Sequence, residues 1–264
     1  MGHKTLIGGT VYEISGGKTL VGGTAYGISG GKTLVGGTAH SIAFSGYDPV
    51  FSNNSWSAII EACQNNAVPV SWDVGAQKPM TINGKDYLID IIGRTHDAYT
   101  DGSGMAPLTF QMHECYSLAQ MDSVRIAGDV EATNLNGWEG STMRKDTMSN
   151  ILTKMPSEVQ AAIKEVNKLT NEGGKSTVIE TTADKLFLLS ISEIVGSNAA
   201  EGSQYELYAL GASVIKTYNG NAYTWWTRTP DTTGVTSFRQ ILNTGATGSA
   251  TSITNRGVAP AFCF

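Results

Sequence analysis

Two neighbouring segments of the chain contain the residue types best suited to chemistry: RTHDAYTDGSG (residues 94–104) and FQMHEC (residues 110–115). Zinc prefers nitrogen and sulfur ligands in a tetrahedron, and His96, His113 and Cys115 could provide three of them if the segments pair across a sheet. Calcium prefers oxygen ligands, which Asp97, Asp101 and the carbonyls of the glycine-rich loop could supply. Because neither spacing is diagnostic of a metal, we expect a hydrogen-bonded structural role for His96-Asp97 and predict no cofactor. A metal site and a catalytic role are the alternatives.

The chain contains little that is typical of an enzyme. It has no HExxH motif, and its glycine pairs are not followed by the GK[ST] or the helix of a phosphate-binding loop. No two carboxylates stand in a setting that resembles a catalytic pair. The sequence therefore predicts a protein without enzymatic activity.

A polar segment, DTTGVTSFRQILNTGATGSATSITN (residues 231–255), is the best candidate for a recognition surface. Small polar side chains on loops that a rigid core supports are typical of binding surfaces. We expect the core beneath them to come from WWTRTP (residues 225–230), with both tryptophans buried, and from a closing strand at residues 260–262. For each polar residue the alternative is a solvated position on a hairpin. The candidate ligand-binding residues are Thr232, Thr233, Thr236, Arg239, Asn243, Thr244, Thr247, Ser249, Thr251 and Asn255.

The elements that must position these residues mix helices and strands. Helical spacing of apolar residues after a capping residue predicts a helix within residues 54–66, and Asn-Gly predicts a hairpin within residues 80–93. Two further helices are expected at residues 142–155 and 156–166, the latter opening with proline. The apolar run DKLFLLSISEI (residues 184–194) predicts a buried strand. This order has no βαβ alternation and predicts an α+β domain.

Composition excludes some classes of partner. The chain has 18 Lys and Arg against 23 Asp and Glu, a net charge of −5, and no basic cluster, which argues against nucleic acid. No apolar run approaches the ~18–20 residues of a membrane helix, and the N-terminus does not resemble a secretory signal, so we expect synthesis in the cytoplasm and no membrane insertion. Cys63, Cys115 and Cys263 are widely separated and are expected to be buried thiols.

The N-terminal segment repeats a unit of 14 residues, in which Lys4, Lys18 and Lys32 are equivalent and glycine pairs recur. Each unit predicts strand, turn, strand, turn. A unit has too few large apolar side chains to fold alone, so strands of other copies would have to cover them. We predict a homo-oligomeric β stalk or docking segment of three chains over residues 1–46, and a globular domain over residues 47–264. A flexible linker is the alternative.

Six strings in the globular domain carry a resemblance to a known family: NGWEGSTMR, KMPSEVQAAIKEVNK, TADKLFLLSISEI, EGSQYELY, WWTRTP and RGVAPAFCF. In this order and spacing they resemble an uncharacterised domain family of Gram-positive bacteria and their phages, over roughly residues 54–264. The chain departs from the family at Ala259, where arginine is frequent. The family looks like the C-type-lectin-like fold, which also underlies formylglycine-generating enzymes and the variable proteins of diversity-generating retroelements. The resemblance therefore implies a C-type-lectin-like domain behind the β stalk.

The same resemblance implies a phage virion protein. Such domains resemble tail-fibre, collar or other virion surface proteins, often behind Gly-rich repeats, so we expect a virion location after synthesis in the host cytoplasm. The expected partners are further copies of the chain as a trimer, other virion proteins bound through residues 1–46, and a host-surface glycan or protein receptor. The paired cysteines of formylglycine-generating enzymes have no counterpart here. The alternative is a bacterial cell-surface or secreted carbohydrate-binding module or carbohydrate-active enzyme.

Overall fold

The N-terminal repeats form three β-hairpins. The computed structural model describes the backbone of six strands between residues 3 and 42, and then residues 46–123, 133–197 and 199–264. Each hairpin pairs its strands antiparallel in an equivalent register, with Leu6 opposite Val11 in the first and Leu20 opposite Ala25 in the second. Two strands per unit are therefore confirmed, whereas the predicted turns at Gly8-Gly9 and its equivalents lie outside the described residues. The strands are β1 (His3–Ile7), β2 (Thr10–Ile14), β3 (Lys18–Val21), β4 (Thr24–Gly27), β5 (Gly31–Val35) and β6 (Thr38–Ile42).

The globular part of the chain mixes short helices with many strands, which confirms the predicted α+β class. The helices are α1 (Trp56–Gln64), α2 (Gly137–Gly140), α3 (Ser149–Leu152), α4 (Ser157–Ala162), α5 (Ile191–Val195) and α6 (Glu206–Ala209). Two 3₁₀ turns lie at Phe51–Asn53 and Ala199–Glu201, and a π-helical turn at Met143–Met148. The strands are β7 (Gln77–Ile82), β8 (Lys85–Arg94), β9 (Leu108–Met112), β10 (Ser117–Ala119), β11 (Val166–Asn171), β12 (Ile179–Asp184), β13 (Leu186–Phe187), β14 (Lys216–Tyr218), β15 (Asn221–Tyr223), β16 (Trp225–Pro230), β17 (Ser237–Ile241), β18 (Thr247–Thr251), β19 (Arg256–Val258) and β20 (Ala261–Cys263).

Two five-stranded sheets organise the globular part. The first has the order β13-β20-β9-β8-β7 and the second β10-β19-β16-β17-β18, while β11–β12 and β14–β15 are separate hairpins. Strand β20 lies between β13 and β9, where Phe262 pairs with both Leu186 and Phe110. The predicted closing strand is thus confirmed, and it returns the end of the chain to the sheet that β8 and β9 began.

Local sequence signals predicted the positions of two elements, the β7–β8 hairpin and helix α1. Asn83 and Gly84 both have positive φ, 51° and 78°, between the paired residues Ile82 and Lys85, as a two-residue hairpin loop requires. In α1 the side chain of Ser55 accepts a hydrogen bond from Ala58 N, and the helix buries the apolar residues that its spacing predicted. Both predictions are confirmed. The buried residues of α1 are Trp56, Ile59, Ile60, Ala62 and Cys63.

Three predicted elements differ from the structure. The helix expected at residues 142–155 begins as the π-helical turn and only then continues as α3, and the helix expected at residues 156–166 ends at Ala162, before β11. The strand expected at residues 184–194 is wrong beyond Phe187. There Leu188 O accepts a hydrogen bond from the side chain of Arg228 and Leu189 O accepts one from Arg228 N, and Ser190 begins α5.

The apolar core confirms the predicted burial of the two tryptophans and of the three cysteines. Trp225 and Trp226 are fully buried, as are the free thiols of Cys63, Cys115 and Cys263. Burial raises the pKa of Cys63 to about 12 and that of Cys115 to about 11, so neither is a reactive thiolate at neutral pH. Among the described residues, no helix has the length and apolar character to cross a bilayer.

Candidate functional site

The structure separates the histidines that a zinc site would have to combine. His113 follows β9 with Nδ1 2.9 Å from Oδ2 of Asp90, whereas His96 lies beyond the other end of the β8–β9 pair, stacked on Tyr205 at 3.9 Å between ring centroids. Strand β9 lies between them, which at ~3.3 Å per residue separates the histidines by about 16 Å. In the chain as described, no three His, Cys, Asp or Glu side chains are arranged to hold a metal ion.

Two of the three remaining candidates of that group, Asp101 and Cys115, have local contacts. Asp101 lies in an exposed turn, where Oδ1 accepts a hydrogen bond from Ser103 N at 2.9 Å. Cys115 is buried against Gly257, where a Cβ added to the glycine would lie only 2.4 Å from the Cys115 sulfur. Cys115 thus packs against the second sheet.

Asp97, by contrast, is a buried centre of hydrogen bonding. Its carboxylate accepts hydrogen bonds from Thr109 Oγ1 at 2.5 Å, Lys168 Nζ at 2.7 Å and Tyr205 OH at 2.8 Å. Burial alone would raise the pKa of Asp97, but the Lys168 ammonium and the hydrogen bonds from Lys168 and Thr109 outweigh it and lower the pKa to about 2. Asp97 is therefore ionised and serves to join the β8–β9 connection to β11 and α6.

Lys168 links Asp97 to a second buried charge pair. Its Nζ lies 2.6 Å from Oε1 of Glu193, and Glu193 in turn binds Arg228 on β16. Arg228 is fully buried and donates its other hydrogen bonds to Thr170 Oγ1 and to four main-chain contacts, including Leu188 O at 2.8 Å and Glu201 O at 3.0 Å. Two cations and two anions thus balance inside the domain, and they hold β11, α5 and β16 together beneath the polar segment.

A cleft of about 400 Å³ lies where the end of β16 meets α5 and the β11–β12 hairpin. Its wall includes the apolar side chains of Ile179, Ile191 and Pro230, and three candidate residues that the sequence predicted, Thr232, Thr233 and Arg239, contribute to its lining. Apolar walls with a few convergent polar groups are typical of small-ligand sites.

Asp231 organises the polar side of this cleft. Its Oδ1 accepts hydrogen bonds from Thr233 N at 3.0 Å and Thr233 Oγ1 at 2.8 Å, its Oδ2 accepts one from Ser249 Oγ, and Arg239 Nη1 lies 3.9 Å from Oδ2. Burial raises the pKa of Asp231, but the hydrogen bonds from Ser249 and Thr233 and the nearby Arg239 outweigh it, so the pKa is lowered. We name Asp231, Thr232, Thr233, Arg239 and Ser249 the Asp231 cluster.

The loop that carries the cluster is anchored from below. The side-chain amide of buried Asn134 donates to the carbonyls of Asp231 at 3.1 Å and Ser237 at 2.7 Å. Asp231 N also donates to Ser237 O at 2.9 Å, which closes the loop. These hydrogen bonds hold the main chain that carries the exposed residues Thr232 and Thr233.

A second carboxyl, Glu201, lines the same cleft from the 3₁₀ turn before α6. It is 5% exposed, and it accepts hydrogen bonds from Asn171 N at 2.9 Å and Thr229 Oγ1 at 2.5 Å. Burial raises the pKa of Glu201 despite these hydrogen bonds and the nearby Arg228. The cleft therefore contains two carboxyls whose pKa values shift in opposite directions.

The other predicted ligand residues lie away from the Asp231 cluster to different degrees. Thr247 and Thr251 flank Ser249 on β18, and Thr236 precedes β17 beside Ser252. Asn243 and Thr244 are exposed at the far turn of the β17–β18 hairpin, and Asn255 is exposed in the loop before β19. The structure thus brings together four of the predicted residues, Thr232, Thr233, Arg239 and Ser249, and spreads the remaining six along the hairpin and the next loop.

Sequence reasoning missed the acidic residues of the site. The Asp-Thr-Thr start of the polar segment was a usable signal, since Asp commonly accepts hydrogen bonds from the residue two positions on, as Asp231 does from Thr233. Glu201 gave no such signal, because its partners Asn171 and Thr229 lie 30 and 28 residues away in the chain.

The fold and this site define an α+β domain that presents a small polar cluster beside a cleft. Residues 118–264, more than half of the chain, match the family described as Domain of unknown function (DUF6273), and the chain belongs to that family. No curated protein and no solved structure matched the chain.

Proposed function

We propose that this protein is a receptor-binding component of a phage virion, in which residues 1–46 form an oligomeric β stalk that presents a C-type-lectin-like domain. Its ligand would be a glycan or protein on the host surface, bound at the cleft and the Asp231 cluster. The observation that carries the proposal is the convergence of exposed hydroxyls and one arginine beside a loop that buried polar contacts fix in place. Fixed, small polar side chains offer hydrogen bonds at low entropic cost to a ligand.

Arg239 is the strongest candidate for direct ligand contact. Its side chain is one-third exposed, its Nη1 donates to Ser249 Oγ at 3.3 Å, and its distance to Asp231 leaves the guanidinium without a close bidentate partner. A guanidinium has five N–H donors, so Arg239 retains donors for an acceptor group on a ligand. Thr232 and Thr233 would supply hydroxyls next to it.

The repeats support the stalk. The three hairpins have one register of pairing, so equivalent main-chain groups recur along the segment at the period of the sequence repeat. Repeated weak contacts of this kind are suited to association of identical chains, and several linked heads would bind a surface more tightly than one through effective concentration.

A binding assay on whole Gram-positive cells and on an array of bacterial saccharides would test the head. Arg239→Ala and Asp231→Asn should each weaken binding about tenfold or more, because a hydrogen bond to a charged group is worth about 1.5–3 kcal/mol. Thr244→Ala, at the far end of the same hairpin, is the matched control and should bind like the natural protein. Loss of binding in Thr244→Ala alone would place the site elsewhere.

Light scattering after gel filtration would test the stalk. The full chain should have the mass of three chains or of a multiple of three, and removal of residues 1–46 should abolish this threefold assembly. A monomeric full chain would remove the stalk from the proposal without affecting the binding assay.

A second function, a carbohydrate-active enzyme, is favoured by one observation, the pair of carboxyls in the cleft. Asp231 has a lowered pKa and Glu201 a raised one, as in glycoside hydrolysis, where one carboxyl donates a proton and the other is ionised. Incubating the protein with the saccharides that it binds on the array, and measuring released products, would distinguish the two functions. Products released by the natural protein and not by Glu201→Gln would favour hydrolysis, whereas stable binding by both would favour the receptor-binding role.

A further inference from the structure

Strand β18 differs from the other outer strands of the two five-stranded sheets. The outer strands β10 and β13 have only three and two residues, and β7 contains Lys78 and Pro79, both of which discourage pairing with another chain. Strand β18 has five residues, T-G-S-A-T, without a charge or a proline. Its burial alternates, with Thr247, Ser249 and Thr251 exposed. It is thus the outer strand of these sheets that lacks the usual protection against edge pairing.

The register of the β17–β18 hairpin shows which main-chain groups face outward. Leu242 N donates to Ala246 O at 2.7 Å and Ser252 N to Thr236 O at 2.9 Å, so residues of even number form the hydrogen-bonded pairs of this ladder. Arg239 and Ser249 form one of the other pairs, in which N–H and C=O point away from the partner strand. The main-chain groups of Thr247, Ser249 and Thr251 therefore point toward the free edge.

Two of these carbonyls already accept a hydrogen bond. Gln240 Nε2 donates to Ser249 O at 3.1 Å, and Thr254 N donates to Thr251 O at 2.9 Å. A carbonyl has two lone pairs and can accept again. The outward N–H groups of residues 247, 249 and 251 have no hydrogen bond in the described structure and are suited to pairing with another strand.

The sequence of β18 fits a second copy of itself. Read in reverse, T-G-S-A-T becomes T-A-S-G-T, so an antiparallel pair about Ser249 places Ser249 opposite Ser249, Thr247 opposite Thr251, and Gly248 opposite Ala250. Hydroxyl pairs across a strand are favourable, and no like charges face each other. We propose that β18 pairs with β18 of a second copy of this chain about a two-fold axis at Ser249. The second sheet of one copy and the second sheet of the other would then form one continuous sheet.

The charge at the neighbouring position is compatible with this pairing. Arg239 lies opposite Ser249 on β17, so the two Arg239 side chains would be separated by three strand spacings, about 14 Å. This exceeds the screening length of ~8 Å at physiological salt, and each Arg239 is near its own Asp231. The pair would bring two Asp231 clusters onto one continuous face. The inference goes beyond receptor binding and does not rest on it.

Cysteine cross-linking of the full chain would test the pairing. Ser249→Cys places two thiols on the same face at an antiparallel hydrogen-bonded pair, where Cα atoms lie about 5.5 Å apart, within the range for a disulfide. Under mild oxidation Ser249→Cys should give a disulfide-linked dimer, while Thr244→Cys, exposed at the far turn, should not. The three natural cysteines are buried and should not contribute. Equal yields from Ser249→Cys and Thr244→Cys would overturn the proposal.

Charge exchange in the Ser249→Cys protein would test the antiparallel register. Thr247→Lys with Thr251→Lys sets lysine against lysine at both ends of the pair, and the yield of linked dimer should fall to that of Thr244→Cys. Thr247→Lys with Thr251→Glu sets each lysine against a glutamate, and the yield should return. An equal loss of yield in the two charge variants would overturn the antiparallel register, because parallel strands would set like charges against each other in both.

Discussion

The carboxylate of Glu193 accepts two hydrogen bonds from the guanidinium of Arg228, from Nη1 to Oε2 at 2.5 Å and from Nη2 to Oε1 at 2.9 Å. Lys168 Nζ also lies 2.6 Å from Oε1. Burial opposes the charge on Glu193, but Arg228 and Lys168 outweigh it and lower the pKa of the carboxyl. The pair joins the start of α5 to β16, whose next residues carry the Asp231 cluster, so the rigidity of the candidate site depends on it.

Removing the Glu193 charge should destabilise the protein strongly. Glu193→Gln would leave Arg228 and Lys168 with one buried anion fewer, at a cost of about 3–5 kcal/mol in the free energy of unfolding. Urea denaturation at pH 7 would measure the loss. Glu201→Gln is the matched control, because an amide can still accept from Asn171 N and the raised pKa indicates that the ionised form is disfavoured there. Equal losses in both variants would contradict this account of the buried charges.

Acid should destabilise the protein through Asp97. Its pKa is lowered from the ordinary value of 3.8 to about 2, so the unfolded chain binds a proton at a higher pH than the folded chain does. The stabilisation by Asp97 is fully present above about pH 4 and is lost as the pH falls toward 2. Urea midpoints at pH 5, 3.5 and 2.5 would follow the loss, with contributions from Glu193 and Asp231, whose pKa values are also lowered.

Asp97→Asn separates the contribution of Asp97 from the others. The variant should be less stable at pH 5 and should lose less stability between pH 5 and pH 2.5 than the natural protein does. If the stability of Asp97→Asn depended on pH as that of the natural protein does, the ionised Asp97 carboxylate would not contribute to the stability of the folded chain.

The elements that sequence predicted correctly depend on local chemistry. Asn83-Gly84 and the Ser55 cap act on neighbouring residues, and the burial of α1 follows from its own spacing. The hairpin of β11 and β12 escaped prediction because its inward positions include Lys168 and Thr170, which break the apolar alternation. These polar residues are tolerated inside because Asp97, Glu193 and Arg228 meet them from distant parts of the chain.

The candidate site likewise has a part that the sequence predicts and a part that depends on residues distant in the chain. Its exposed threonines and Arg239 could be proposed from composition, because a run of small polar residues between core strands is visible in the sequence. The role of Asp231 depends on Ser249, 18 residues away, and that of Glu201 on Thr229. The wrong strand at residues 184–194 has a different cause, since Ser190 and Glu193 form a capping box, a local signal for the start of a helix, and its glutamate also binds Arg228.

The Ser190 cap offers a further prediction. Ser190 Oγ accepts from Glu193 N at 3.1 Å and donates to Glu201 O at 3.0 Å, so Ser190→Ala loses both contacts in a buried place. We expect a loss of about 1–2 kcal/mol in the free energy of unfolding. Ser55→Ala, which removes the exposed cap of α1, is the comparison and should cost less. A larger loss in Ser55→Ala, measured by urea denaturation, would contradict the assigned roles.

Gly257 on β19 should tolerate no side chain. A Cβ there would lie 2.4 Å from Cys115 Sγ and 3.1 Å from Trp225 Cβ, between β10 and β16, so Gly257→Ala should cost about 1–3 kcal/mol through overpacking. Cys115→Ala removes the sulfur and should recover part of that loss, but not all, because Cys115 Cβ is still 3.2 Å away. Gly234→Ala is the control, since its Cβ meets no atom within 4 Å, and it should change stability by less than about 0.5 kcal/mol. Thermal unfolding of the two single variants, the double variant and the control would measure these losses. Additive losses in the double variant would show that Cys115 does not exclude the methyl group.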